Sequence, residues 1–156
     1  MPLDRVDRAI LAYLQANGRA TAGELSEVVN LSPSPTHRRQ KLLEEQGVIQ
    51  RYVALLDQDK VGLPVNVFVT VKLANHADET LRGFERAVGD CPEVMEMYEM
   101  TGASDYLLRV VAADVASYEA FLRGTLTKIP GVQSFESAMA LKRIVYRTAL
   151  PLRGPG

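Results

Sequence analysis

Two stretches of this chain carry side chains that could do chemistry, and in neither is it the chemistry of a catalyst. The first is Ser32 to Ile49, SPSPTHRRQKLLEEQGVI. At roughly 100° per residue, Ser34, His37, Arg38 and Lys41 fall on one face of a helix, while Thr36, Arg39, Leu43 and Gly47 fall on the opposite one. A basic face short of apolar groups, in the N-terminal half of a helix, suits phosphates and base edges in a DNA major groove. A solvated surface helix is the alternative. The second stretch is Thr101 to Leu108, TGASDYLL. Gly102 permits an unusual turn whose amides can receive a carboxylate, and Asp105 beside it can take an ammonium group. Together they fit the zwitterionic end of an amino acid, with Met100 and Tyr106 placed to shape a side-chain pocket. The alternative is a hairpin turn capped by an Asp. Ser134 and Glu136 are secondary pocket candidates.

Composition narrows the remaining classes. Cys91 is the single cysteine, so no intrachain disulfide framework exists, and one Cys with two scattered histidines, His37 and His76, forms no metal-ligand cluster. No cofactor is implied. The net charge of −1 argues against a chain that grips nucleic acid through bulk charge. Residues 1–60 hold eight Lys/Arg and eight Asp/Glu, so any grip must be local, from His37, Arg38, Lys41 and Arg51 with Arg19 at the rim. A patch that small predicts modest affinity for one copy and tight binding only from several acting together. At 156 residues and 47% hydrophobic composition, the chain suits one medium domain or two small ones. No apolar run approaches the roughly 18 residues of a membrane span, and the first residues lack a signal peptide's basic start, so a cytoplasmic location is expected.

The elements that must position these residues can be read in order. Leu3, Val6, Ile10, Leu11 and Leu14 recur at helical spacing behind an Asp4 cap with Asp7 in the first turn, and Asn17-Gly18 closes that helix. Thr21 to Glu24 is a capping box for a short second helix with Leu25, Val28 and Val29 inward. Asn30 supplies a left-handed residue and Leu31 a buried plug. Ser32 or Ser34 can cap the third helix, Pro33 or Pro35 fits its first turn, and Gly47 stops it. Helix, short helix, tight turn and basic-faced helix is the helix-turn-helix order. Arg39, pointing inward, is expected to pair with an acid of the first or second helix. Val48 to Asp57 reads as a strand leaving this domain, and Val61 to Pro64 marks a boundary.

Beyond it, Val65 to Leu73 alternates as a strand, and a helix follows from Asp78 to Val88. Strands at Glu93 to Met100 and Asp105 to Ala113, a helix from Ala116 to Ile129 and a last strand from Val132 to Tyr146 complete the order βαββαβ. That is the ferredoxin-like arrangement, with both helices on one face of an antiparallel sheet. The last strand places Phe135, Met139, Leu141 and Val145 on one side and Ala138, Ala140, Ile144 and Tyr146 on the other, and Phe68 opposes the valines of the first. Apolar groups on both faces predict at least a homodimer.

The run LDRVDRAILAYLQANGRATAGELSEVVNLS, followed by Arg39, Leu43, Gly47, Val48 and Ile49 at their spacings, closely resembles the N-terminal domain of the Lrp/AsnC (leucine-responsive or feast/famine) regulators. TGASDYLL and LTKIPGVQSFESAMALK resemble that family's later signatures, so the likeness spans nearly the whole chain. It implies an α+β protein with a winged-helix-like helix-turn-helix domain over residues 1–60, connecting strand included. A ferredoxin-like effector-binding and oligomerisation domain over 61–150 and a tail over 151–156 would follow. By the same likeness the third helix reads double-stranded DNA, the connecting strand pairs with its twin, and dimers build toward an octamer. A small effector, an amino acid, would sit between dimers against Met100, Thr101, Gly102, Asp105 and Tyr106. Gln40 and Leu42 depart from the family pattern, which has Ile or Val and a basic residue there. Two other classes stand beside the regulator. Haem-precursor decarboxylases resemble the same architecture, but this chain offers no base, acid and pocket together. An architectural DNA-binding protein without effector is disfavoured by the intact TGASDY stretch.

Overall fold

A computed structural model of the chain describes residues 3–152. They form two compact units, one from the residues up to Leu55 together with those from Ile144 onward, the other Leu56–Arg143.

The first unit holds α1 (Arg5–Ala16), α2 (Ala22–Val29) and α3 (Pro33–Glu45). Asp4 and Asp7 form a reciprocal capping box at the start of α1, and Thr21 and Glu24 form one at the start of α2. Each satisfies amides that the first turn leaves without partners. Asn30 takes the left-handed conformation (φ 51°, ψ 47°) and ends α2, letting the chain reverse into α3. Ile10, Leu11, Leu14, Leu25 and Leu43 make the core. Two expected core residues are not in it: Val28 lies on the outer side of α2, and Leu31 is 37% exposed in the turn because the three helices close over Leu25 and Leu43 without it. Ser32 stands at the cap of α3 but its side chain makes no capping bond. The C-terminal segment returns to this unit, where the Gln15 amide brackets the backbone of Leu150 with bonds of 2.6 and 3.1 Å and Leu152 packs on the helical core. Of the expected tail, residues 153–156 lie outside the described residues.

The second unit is a four-stranded antiparallel sheet of β1 (Val65–Leu73), β2 (Val94–Glu99), β3 (Tyr106–Ala112) and β4 (Val132–Met139), in the order β2-β3-β1-β4. With α4 (Asp78–Gly89) and α5 (Val115–Gly124) in the crossovers, this is the ferredoxin-like βαββαβ topology. Alternation along β1 sends Val67, Val69, Val71 and Leu73 toward Phe84 and Val88 of α4 and Tyr118 and Phe121 of α5. The other face carries Phe68, Tyr98, Leu107 and Val111 beside a polar group in which Arg109 reaches Glu96 at 2.8 Å and Asn66 at 3.2 Å. Burial alone would raise the Glu96 carboxyl, but bonds from Tyr98 and Arg109 outweigh it and hold it low.

Three expected elements are shorter or absent. Val48 to Asp57 forms no strand within the chain: Tyr52, Val53, Leu55 and Leu56 are exposed, and no neighbouring strand meets their main-chain groups. The last strand ends at Met139 rather than Tyr146. After one more bond, from the Ala140 N–H to the Asn66 carbonyl at 2.9 Å, β1 has run out and nothing remains to pair with. Leu141, Ile144, Val145 and Tyr146 therefore lie off the sheet, and its apolar outer face belongs to β1, β2 and β3. The expected helix through Ile129 stops at Gly124. Thr125 (φ −126°) breaks it, and Leu126–Lys128 form a separate 3-10 turn.

Candidate nucleic-acid interface and effector site

The third helix is anchored on one side and bare on the other. Thr36 and Leu43 are buried, and the Thr36 hydroxyl donates to the Ser32 carbonyl at 3.0 Å. The Arg39 guanidinium spans Asp4 at 2.7 Å and Asp7 at 2.8 Å, the two residues that cap α1. One side chain thus fastens α3 to the start of α1, as its inward position predicts. Asp4 sits below the usual carboxylate range, first because it accepts the Asp7 N–H and then because of Arg39, whose own affinity for its proton is raised by the pair. On the opposite face Ser34, His37, Arg38 and Lys41 are all exposed. Lys41 reaches Glu45 at 3.7 Å between two side chains more than half exposed, a contact worth little and readily exchanged for a phosphate. Arg51 is exposed in the segment beyond the helix, and Arg19 near the end of α1 is exposed too.

A contact that no local spacing predicts links that segment to α3. Gln40 donates to the Tyr52 hydroxyl at 2.9 Å, and the hydroxyl donates to Glu44 at 2.8 Å. Gln40, one of the two residues that depart from the family pattern, holds the chain as it leaves the helix.

In the second unit the turn between β2 and β3 brings Met100, Thr101, Gly102 and Asp105 together, with Met100 and Thr101 exposed. Gly102 has φ +110°, which explains the glycine, and no atom lies within 4 Å of where a Cβ would stand. The turn is knit by the Met100 N–H to the Asp105 carbonyl (2.8 Å) and the Asp105 N–H to the Val71 carbonyl (2.9 Å). The Asp105 carboxylate accepts the Leu73 N–H at 2.7 Å and meets Nε2 of His76 at 2.7 Å. Those two contacts, the Leu73 amide first, hold its carboxyl below the usual range. Asp105 therefore caps the end of β1 as well as standing at the turn. Tyr106 goes elsewhere. Its side chain is 2% exposed, stacks on Phe84 with ring centres 4.8 Å apart and donates to Glu85 at 2.8 Å; burial and then Glu85 push its phenol up. Alternation explains it, because Asp105 and Tyr106 are consecutive and must face opposite ways. Ser134 and Glu136 are exposed on β4, opposite Lys72 and Thr70. Among the described residues no group of three or more His, Cys, Asp or Glu could hold a metal ion, and no helix is long and apolar enough to cross a membrane.

A winged helix-turn-helix unit joined to a ligand-binding domain is the build of a ligand-responsive transcriptional regulator. The family model described as winged helix-turn-helix DNA-binding matches residues 3–50, and that of the Lrp/AsnC ligand binding domain matches residues 66–150. The chain belongs to the Lrp/AsnC family. It is 46% identical over 150 residues to the Bkd operon transcriptional regulator of Pseudomonas aeruginosa, covering 96% of this chain and 98% of that protein. With the leucine-responsive regulatory protein of Escherichia coli it shares 36% over 151 residues, 97% and 92% of the two chains. Among solved structures, a transcriptional regulator of Neisseria meningitidis in complex with L-Met superposes with a TM-score of 0.91 at 41% identity, over 96% of each chain. These relatives are regulators rather than enzymes.

Proposed function

We propose that this protein is a sequence-specific, double-stranded-DNA-binding regulator that works in the cytoplasm and answers to an amino acid. In this reading α3 enters a major groove, with Ser34, His37, Arg38 and Lys41 facing the bases and phosphates and Arg51 gripping the backbone beside it. The observation that carries the reading is the division of α3: Arg39, Thr36 and Leu43 fix one side to the unit's core and leave four polar side chains on the other with no structural duty except the weak Lys41–Glu45 contact. Amino-acid binding at Met100, Thr101, Gly102 and Asp105, with Tyr106 bracing the strand from behind, is supported by the positive-φ glycine beside a depressed carboxylate and by the L-Met complex of the Neisseria relative.

Homodimers that assemble further, to the octamer the family likeness implies, would supply the several copies that weak single contacts require. Support comes from main-chain groups of residues 48–57 without strand partners and from Phe68 and Tyr98 exposed on the open sheet face. Each would find a partner in a second copy. The effector would act through its different affinity for two assemblies. Selection from a random double-stranded library, repeated with each of the twenty amino acids, tests the whole reading. Enriched sequences should carry paired half-sites about 10 base pairs apart, and at least one amino acid should change the yield; an unenriched pool would overturn the reading.

A further inference from the structure

We propose that His76 is a removable latch on the effector site: its imidazole occupies the oxygen of Asp105 that an incoming ammonium group needs, and an amino acid binds by displacing it. This rests on the reading of Asp105 as the ammonium acceptor. The two oxygens of that carboxylate have unequal partners. Oδ2 takes the Leu73 N–H at 2.7 Å, a main-chain bond that a ligand could claim only by fraying the end of β1. Oδ1 meets Nε2 of His76 at 2.7 Å, and the histidine side chain is 68% exposed against 19% for the aspartate. The imidazole therefore stands on the solvent side of Oδ1 and is the partner that can leave.

The loop carrying it is held around the ring. The Asn75 carbonyl oxygen of the side chain accepts from the Ala77 N–H at 3.0 Å and the Thr80 hydroxyl at 2.9 Å, and the Ala74 N–H donates to Gly131 at 2.8 Å. Gly131 leaves that junction no slack, since a Cβ there would come within 2.5 Å of the Thr80 methyl. Backbone movement is thus resisted, while the exposed His76 ring can swing away once its bond to Asp105 breaks. Exchange of one N–H donor for another keeps Oδ1 bonded throughout, so the carboxylate is never stranded.

Calorimetry of the full chain with L-methionine at pH 7.5 tests the latch. His76→Ala should bind about two- to fivefold more tightly than wild type, and His76→Gln, which keeps a hydrogen-bond donor for Oδ1, should fall between the two. Should Asp105→Asn abolish binding while His76→Ala matches wild type, the latch is overturned and the effector reading stands. Binding untouched by Asp105→Asn, or no heat with L-methionine or any of the other nineteen amino acids, overturns the effector reading and the latch with it.

Discussion

The two units solve opposite problems with the same charged residues. The DNA-binding unit carries nine Lys/Arg against six Asp/Glu, while the sheet unit carries nine against thirteen, so a chain of net charge −1 contains one basic and one acidic half. In the first, the side chains proposed to meet DNA stand exposed on a helix that other charges fasten down. In the second, the carboxylate proposed to take the effector is already satisfied by Leu73 and His76 and would bind by exchange. A site for a polyanion can be left open in water, because exposed cations cost nothing to keep hydrated. A carboxylate meant for a small cation is held ready by its own neighbours. The net charge of the whole chain averages over two units of opposite sign.

The largest expected effects test whether each site rests on its own core. Phe84→Ala should destabilise the sheet unit by about 4 kcal/mol and Leu43→Ala the helical unit by about 3 kcal/mol, each followed by hydrogen exchange resolved to the unit mutated. Loss of protection in the wrong unit would break the comparison. Next is the difference between anchor and reader on one helix. Arg39→Met strands the buried Asp7 carboxylate and should cost on the order of 2 kcal/mol in chemical denaturation, whereas Arg38→Ala should stay within about 0.5 kcal/mol of wild type. Equal costs would mean that the bare face of α3 is structural after all.

Asp105→Asn keeps an acceptor for Leu73 but loses the charge, so it should abolish the change in DNA binding that an effective amino acid produces in wild type, read by fluorescence anisotropy. A full response would move the effector elsewhere. The smallest effect is in acid. Asp4 and Asp105, one in each unit, are both held below their ordinary value of 3.8. A depressed carboxyl stabilises the fold fully above its ordinary value and ceases to do so as the pH falls through its lower folded value. Stability should therefore decline below about pH 4, and Asp105→Asn should flatten that decline for the sheet unit alone in acid titrations followed by NMR.

Much of this was legible locally. The Asp4 cap, the Thr21–Glu24 capping box, the left-handed Asn30, the two faces of α3 and the inward Arg39 follow from spacings of three and four residues, and the structure has them all. What spacing cannot supply is a partner. Val48 to Asp57 and the residues after Met139 have strand composition, yet a strand exists only where another backbone stands beside it. Leu31 and Val28 are apolar at plausible inward positions, but a three-helix core this small closes without them. His76 is 29 residues from Asp105, and only the pairing of β1 with β3 brings the ends of those strands together. Tyr106 is adjacent to Asp105 in sequence, but alternation along β3 turns it into the core.

The central claim is that the bare side of α3 meets nucleic-acid phosphates. It is tested most directly by the dependence of DNA affinity on salt for wild type and for Arg38→Ala/Lys41→Ala, measured on one duplex. The slope of log affinity against log salt should become shallower by about two in the double variant, with thermal stability retained. An unchanged slope at unchanged stability would contradict the account.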